Sequence, residues 1–331
     1  MFQKIIASII IFCSLFLFSC HDDSNEVSLA PQLVENKVVS ATAPDFNADN
    51  AYELIKQQVA FGPRVPGSVA HKKCAEWIQK EIKKYVDTVY EQKTTVIQPI
   101  SNVKYPCINI IGSINPALTK RILLLCHWDS RPWADEDVVN QDKPIDAADD
   151  AGSGVAILLE IAAKLKTTKP DIGVDFLFVD VEDVGKSELE NPSNDITTFC
   201  LGTTYWALHP HVPNYTADFG ICLDMVGAKG AQFPLEGYSA HNAGDYQKRI
   251  WDIANRIGYS SYFSYLAGGM ITDDHVEVMR NIHIPTVDII NLQPSGGFGK
   301  HWHTHQDNMS IIDKATLKAV GQTVMQVLFE N

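Results

Sequence analysis

Five short segments concentrate the side chains that can hold a metal ion or move a proton. His127-Trp128-Asp129-Ser130 follows an apolar run ending at Cys126, and Asp180-Val181-Glu182-Asp183 follows one ending at Val179. Asp224-Met225-Val226-Gly227 follows a third run ending at Leu223. His301-Trp302-His303-Thr304-His305 lies beyond Ile290 and a glycine-rich loop, and Asp149-Asp150-Ala151-Gly152-Ser153-Gly154 opens an apolar helical stretch. Carboxylates and imidazoles gathered without cysteine suit a catalytic zinc that keeps one coordination position open. The absence of any Cys-x-x-Cys pair argues against a cysteine-held metal. Each segment alone also has a plain structural reading. Asp149-Asp150 fits a helix N-cap, Glu182-Asp183 an exposed acidic turn, and a single histidine or tryptophan a core position. What joins them is position: in open α/β sheets, sites collect beyond the carboxyl ends of the strands.

The elements that must present these segments follow from hydrophobic periodicity. Residues 48–60 read as a helix, and 61–68 as a turn-rich loop ending in Ser68, a candidate cap. Ala75, Ile78, Ile82 and Tyr85 recur at helical spacing after it. Val89–Ile97, Cys107–Ile111, Ile122–Cys126, Val174–Val179, Phe219–Leu223 and Pro285–Ile290 read as strands, several apolar enough to be buried on both faces. Val155–Leu165, Asp245–Ile257 and Lys314–Phe329 read as helices. Strand–helix alternation of this kind predicts an α/β three-layer sandwich whose mixed, mostly parallel central sheet is flanked by helices. The chain divides into residues 1–19, a polar stretch 20–47, and a single catalytic domain 48–331.

Lys4 and the apolar run Ile5–Phe18 have the form of an export signal. Leu17-Phe18-Ser19-Cys20 resembles a bacterial lipobox, which implies acylation of Cys20 and a membrane-anchored, exported protein, periplasm-facing or on the outer membrane. Residues 20–47 then read as a tether. With Cys13 and Cys20 set aside, five of the seven cysteines remain, an odd number from which no disulfide pairing follows. The formal charge of −13 makes nucleic acid a poor partner. The 331 residues, 45% hydrophobic, suffice for one large core.

In this order the segments resemble the zinc aminopeptidases, and within them the glutaminyl-peptide cyclotransferases, from about Phe61 to the C-terminus. His127-Trp128-Asp129 matches their His-x-Asp, and Asp149 to Gly154 their Asp-Asp-x-x-Ser/Ala-Gly. Glu182-Asp183 matches an adjacent Glu-Glu. Cys126-His127-Trp128-Asp129-Ser130, Leu223-Asp224-Met225-Val226-Gly227, Gly268-Gly269-Met270-Ile271-Thr272-Asp273-Asp274-His275 and Trp302-His303-Thr304 with Asp307-Asn308 resemble the cyclotransferase branch. The resemblance implies one zinc per chain on Asp149, Asp183 and His303, with Glu182 as the acid–base residue. It also implies that Asp224 and Asp273 share a hydrogen-bond network with Glu182, and that Trp302 lines the substrate pocket. Three departures stand out. Asp183 is one methylene shorter than the family's Glu. The partner expected for a disulfide at Cys126 falls near Ser153-Gly154, so that bond is not expected. Val184-Gly185-Lys186-Ser187 stands where animal enzymes have a tryptophan.

The implied reaction takes peptides or proteins with N-terminal glutamine and closes the α-amine onto the γ-carbon, releasing ammonia and leaving pyroglutamate. Two alternatives remain on the residues themselves. A two-zinc aminopeptidase would place a second metal on His127 and Asp224. A non-catalytic binding domain would use the same fold without the chemistry.

Overall fold

The computed structural model describes residues 43–186, 197–293 and 296–331. The expected signal at 1–19, the acylated Cys20 and the tether up to residue 42 lie outside the described residues. Residues 43–47, expected as the end of the tether, are described and include a packed side chain: Phe46 is buried against Gly321, and its N–H donates to Gln322 Oε1 at 2.9 Å.

The central sheet has six strands: β1 (Thr88–Ile97), β2 (Lys104–Ile114), β3 (Arg121–His127), β4 (Gly173–Val179), β5 (Phe219–Asp224) and, last in the chain, β8 (Thr286–Ile290). Their order is β1-β2-β4-β3-β5-β8. The pairs β1–β2 and β2–β4 are antiparallel, whereas β4–β3, β3–β5 and β5–β8 are parallel. β6 (Phe233–Leu235) and β7 (Phe263–Ala267) form a separate two-stranded ribbon.

Every residue of β3, β4 and β5 is buried, because helices cover both faces. On β3, Ile122, Leu124 and Cys126 enter one apolar cluster while Leu123 and Leu125 enter another, the period of two that a pleated strand imposes. On the first face lie α1 (Ala48–Val59), α2 (Val69–Ile82), α3 (Gly152–Thr167), α6 (Gly244–Arg256) and α8 (Lys314–Phe329). The second face is covered by α4 (Leu201–Leu208) and α7 (Asp274–Ile282), through Trp206 and Val278. A short α5 (Gly237–Asn242) precedes α6.

Asn47, Ser68 and Asp313 cap α1, α2 and α8 by accepting backbone N–H bonds. α3 has no such cap; Ala151, which precedes its first residue, offers no side-chain bond. It is nearly buried all round because it lies directly on β3 and β5. A Cβ at Gly154 would stand 2.5 Å from the Leu223 carbonyl and 2.9 Å from Cys126 Cβ, so only glycine permits that approach. Cys126 is a free thiol, as are the other cysteines among the described residues.

Candidate metal centre

Because β3, β4, β5 and β8 run parallel, their carboxyl ends open at one edge of the sheet. Leu125 pairs with Cys222, so two residues further on His127 and Asp224 emerge side by side, with Nε2 3.4 Å from Asp224 Oδ1. β4 ends beside them and leads to Glu182 and Asp183.

Two groups of metal-capable atoms form there, each with its ligand atoms within 4.8 Å of one another: Asp150, Asp183 and His303, and His127, Asp150 and Asp224. His303 Nε2 lies 3.3 Å from Asp183 Oδ1 and 3.8 Å from Asp150 Oδ2, and His127 Nε2 lies 2.9 Å from Asp150 Oδ1. Of the three residues expected to hold zinc, Asp183 and His303 are brought together and Asp149 is not. Asp149 turns its carboxylate the other way, accepting the Gly227 N–H at 2.7 Å on Oδ1 and facing His301 Nε2 at 3.1 Å with Oδ2. Asp150 takes its place. The physical reason is the irregular turn ahead of α3, which sends the two adjacent side chains to different partners. Asp307 locks the pair by accepting the N–H of both Asp149 and Asp150, at 2.7 and 3.1 Å.

The donor set fits zinc. Asp183 Oδ2 and Asp224 Oδ1 are buried without a hydrogen-bond partner, a costly state for a carboxylate oxygen that a cation would relieve. Burial pushes the Asp183 carboxyl up, but His303 and Arg131 outweigh it and hold the group below its usual range. Two carboxylates and an imidazole, without thiolate, make the hard-to-borderline set expected for a catalytic site.

Other residues orient these ligands, as supporting groups around metal sites generally do. Buried Arg131 donates to Asp183 Oδ1 at 2.9 Å and makes a bidentate pair with Asp135 at 2.6 Å on each arm. Asp135 in turn lies 3.4 Å from His303 Nδ1. Asp129 accepts the N–H groups of Glu182 and Asp183 at 3.1 and 3.3 Å, fixing the turn after β4. Asp129 and Asp307 stand inside segments whose residue types already drew notice. Arg131 and Asp135 carried no signal, because nothing local marks which arginine will be buried.

Glu182 is buried beside Asp273, their oxygens grouped within 4.8 Å together with the Cys200 sulfur. Burial raises the Glu182 carboxyl well above its ordinary range; the attraction of His127 does not offset it, and Asp183, Asp274 and Asp273 add to the rise. Asp224 groups with His127 and Asp150. Burial, then Asp150, pushes it up as well. Asp273 adds to that rise, so its charge bears on both Glu182 and Asp224, as expected of a shared network. Trp302 stacks on His303 with centroids 3.7 Å apart and meets Phe298 at 4.4 Å, an aromatic wall on one side of the metal group. Phe199 packs on Gly185, and the Arg131 guanidinium lies 5.5 Å from the Phe199 ring and 5.2 Å from the Trp133 ring. Aromatic side chains from other loops thus occupy the side where Val184-Gly185-Lys186 replaces a tryptophan.

The backbone here is unusual. Val181, Cys200, Met225 and His303 all take left-handed φ values, 55°, 58°, 50° and 53°. Such conformations are costly for residues with a side chain, most of all a β-branched one, and they cluster where a site must be aimed.

Known proteins resemble this chain. Residues 109–328 match peptidase family M28. A glutaminyl-peptide cyclotransferase from Bos taurus is 25% identical over 296 residues, covering 81% of this chain and 78% of that protein. The crystal structure of Porphyromonas gingivalis glutaminyl cyclase superposes with a TM-score of 0.82 at 44% identity, over 86% of this chain and 98% of that one. A Zn-dependent exopeptidase from Parabacteroides distasonis gives 0.83 at 47% identity, over 87% and 100%. The family match takes in every strand end that carries a site residue, and the chain belongs to peptidase family M28.

Proposed function

We propose that this chain is a zinc-dependent glutaminyl-peptide cyclotransferase, converting N-terminal glutamine of peptides or proteins to pyroglutamate with release of ammonia. The observation that carries the reading is the buried Glu182–Asp273 pair standing beside the Asp150–Asp183–His303 group. A zinc ion held by those three residues would supply Lewis acidity toward the γ-amide oxygen. Glu182 takes the proton from the α-amine as it bonds to the γ-carbon, and delivers a proton to the nitrogen that leaves as ammonia. Asp273, close to Glu182, keeps that proton shared between two carboxyl groups. Trp302 packs on the glutamine side chain and keeps out the water that would otherwise hydrolyse the amide. Because the ring closure is intramolecular, holding the attack conformer supplies much of the acceleration.

One zinc per chain is the reading we favour. The 2.9 Å contact between His127 Nε2 and Asp150 Oδ1 supports His127 as the residue that orients Asp150. The second group, His127, Asp150 and Asp224, is what a two-zinc aminopeptidase would use. Relatives named as cyclotransferases and cyclases weigh against that alternative. Incubation with a glutaminyl peptide should release chelator-sensitive ammonia. Hydrolysis of aminoacyl amides by a protein holding two zincs would instead establish the aminopeptidase. We further propose export and anchoring through lipid on Cys20. Mass spectrometry of the mature N-terminus should find acyl chains on Cys20, and an unacylated Cys20 would overturn this proposal; among the described residues no helix is long and apolar enough to cross a membrane.

A further inference from the structure

Cys200 sits where α4 begins, and its position is fixed from three directions. Its N–H donates to the Glu182 carbonyl at 3.0 Å, and the Leu201 N–H to the Val181 carbonyl at 3.1 Å. Gly202 lets the helix press on the end of β4: a Cβ there would stand 1.9 Å from the Asp180 carbonyl. The third constraint is the left-handed φ of Cys200 itself, 58°. The side chain does not cap the helix that follows. Its sulfur points instead to Glu182, with Sγ 3.3 Å from Oε1, and among the described residues it is the donor to that carboxylate. Burial, reinforced by Glu182, pushes the thiol well above its ordinary range, so it keeps its proton and can donate.

We propose that Cys200 is a positioning residue for the acid–base carboxylate, its S–H holding Glu182 Oε1 and leaving Oε2 to exchange protons with the substrate. This rests on the cyclotransferase reading. The choice of sulfur has a physical reason. A thiol is a weak donor, so it fixes the carboxylate's rotamer while stabilising the ionised form only modestly. A hydroxyl at the same place would stabilise the carboxylate and make Glu182 a poorer base.

The test compares zinc-loaded wild type, Cys200→Ala and Cys200→Ser, measuring ammonia release from a glutaminyl peptide across pH, with Cys74→Ala as a buried-thiol control. The acid limb of kcat reports the base in the bound complex. We expect Cys200→Ala to move that limb to higher pH and to lose roughly 5-fold in kcat at neutral pH. Cys200→Ser should move the limb to lower pH. Opposite displacements support the proposal, and any other pattern in active, folded variants overturns it. If wild type releases no ammonia, or a Cys200 variant does not fold, the infrared S–H stretching band of Cys200 decides, assigned as the band missing in Cys200→Ala or, failing that, by elimination with the other cysteines. Its frequency must shift in Glu182→Gln relative to wild type, and an unshifted band overturns the proposal. Absence of ammonia release from wild type bears on the functional reading alone.

Discussion

Asp149 and Asp150 are neighbours in sequence with opposite assignments in space, and zinc affinity should separate them. Asp150→Asn keeps an acceptor and a donor for the 2.9 Å contact with His127, so the local fold should persist. It removes the one negative charge shared by both metal-capable groups. Disrupting residues that only orient ligands typically costs about 10–100-fold in metal affinity. Loss of a charged ligand should exceed that, more than about 100-fold or roughly 3 kcal/mol. Asp149→Asn also keeps an oxygen for the Gly227 N–H but lies outside both groups. Its affinity change should stay under about 10-fold, with a stability loss on the order of 1 kcal/mol from the weakened bonds to Gly227 and His301. Competition against a chromophoric chelator measures both constants, and circular dichroism verifies folding. Asp149→Asn losing zinc as severely as Asp150→Asn would refute the assignment.

Arg131→Met should lower stability by about 3–5 kcal/mol, since it strands Asp135 and Asp183 without their buried cation; chemical denaturation of the metal-free protein measures it. Glu236 gives a pH-dependent term. Burial raises its carboxyl, but His275 and the N–H groups of Ile271 and Ser239 outweigh this and bring it from 4.5 to about 2. A depressed carboxyl stabilises the fold above its unfolded value and loses that contribution as pH falls through the folded one. The stability advantage of wild type over Glu236→Gln, on the order of 3 kcal/mol near neutrality, should therefore shrink between pH 4.5 and about 2, and a constant difference would contradict it. Trp302→Ala should raise KM while zinc content is retained, because the ring covers His303 without supplying a ligand; titrated zinc and steady-state rates check both halves.

The sheet and its helices were legible in the chain because burial on both faces writes long apolar runs. β3, β4 and β5 fall within a residue or so of their expected bounds, and α8 spans Lys314–Phe329 as expected. The edge elements α5, α7, β6 and β7 were not legible, nor was α4. They are short, and their apolar faces acquire meaning only against the sheet.

Residue types at strand ends determined that this chain would gather carboxylates and imidazoles, and which strands would bring them. Direction was another matter. Whether Asp149 or Asp150 faces the metal depends on the backbone torsions of an irregular segment and on Asp307, which stands 157 residues further along the chain from Asp150. The pairing of Arg131 with Asp183, and of Cys200 with Glu182, likewise joins residues on separate loops. Periodicity reports burial along one element. Only the folded chain decides which side chains from different loops meet, because that depends on the register of parallel strands and the left-handed turns that leave them.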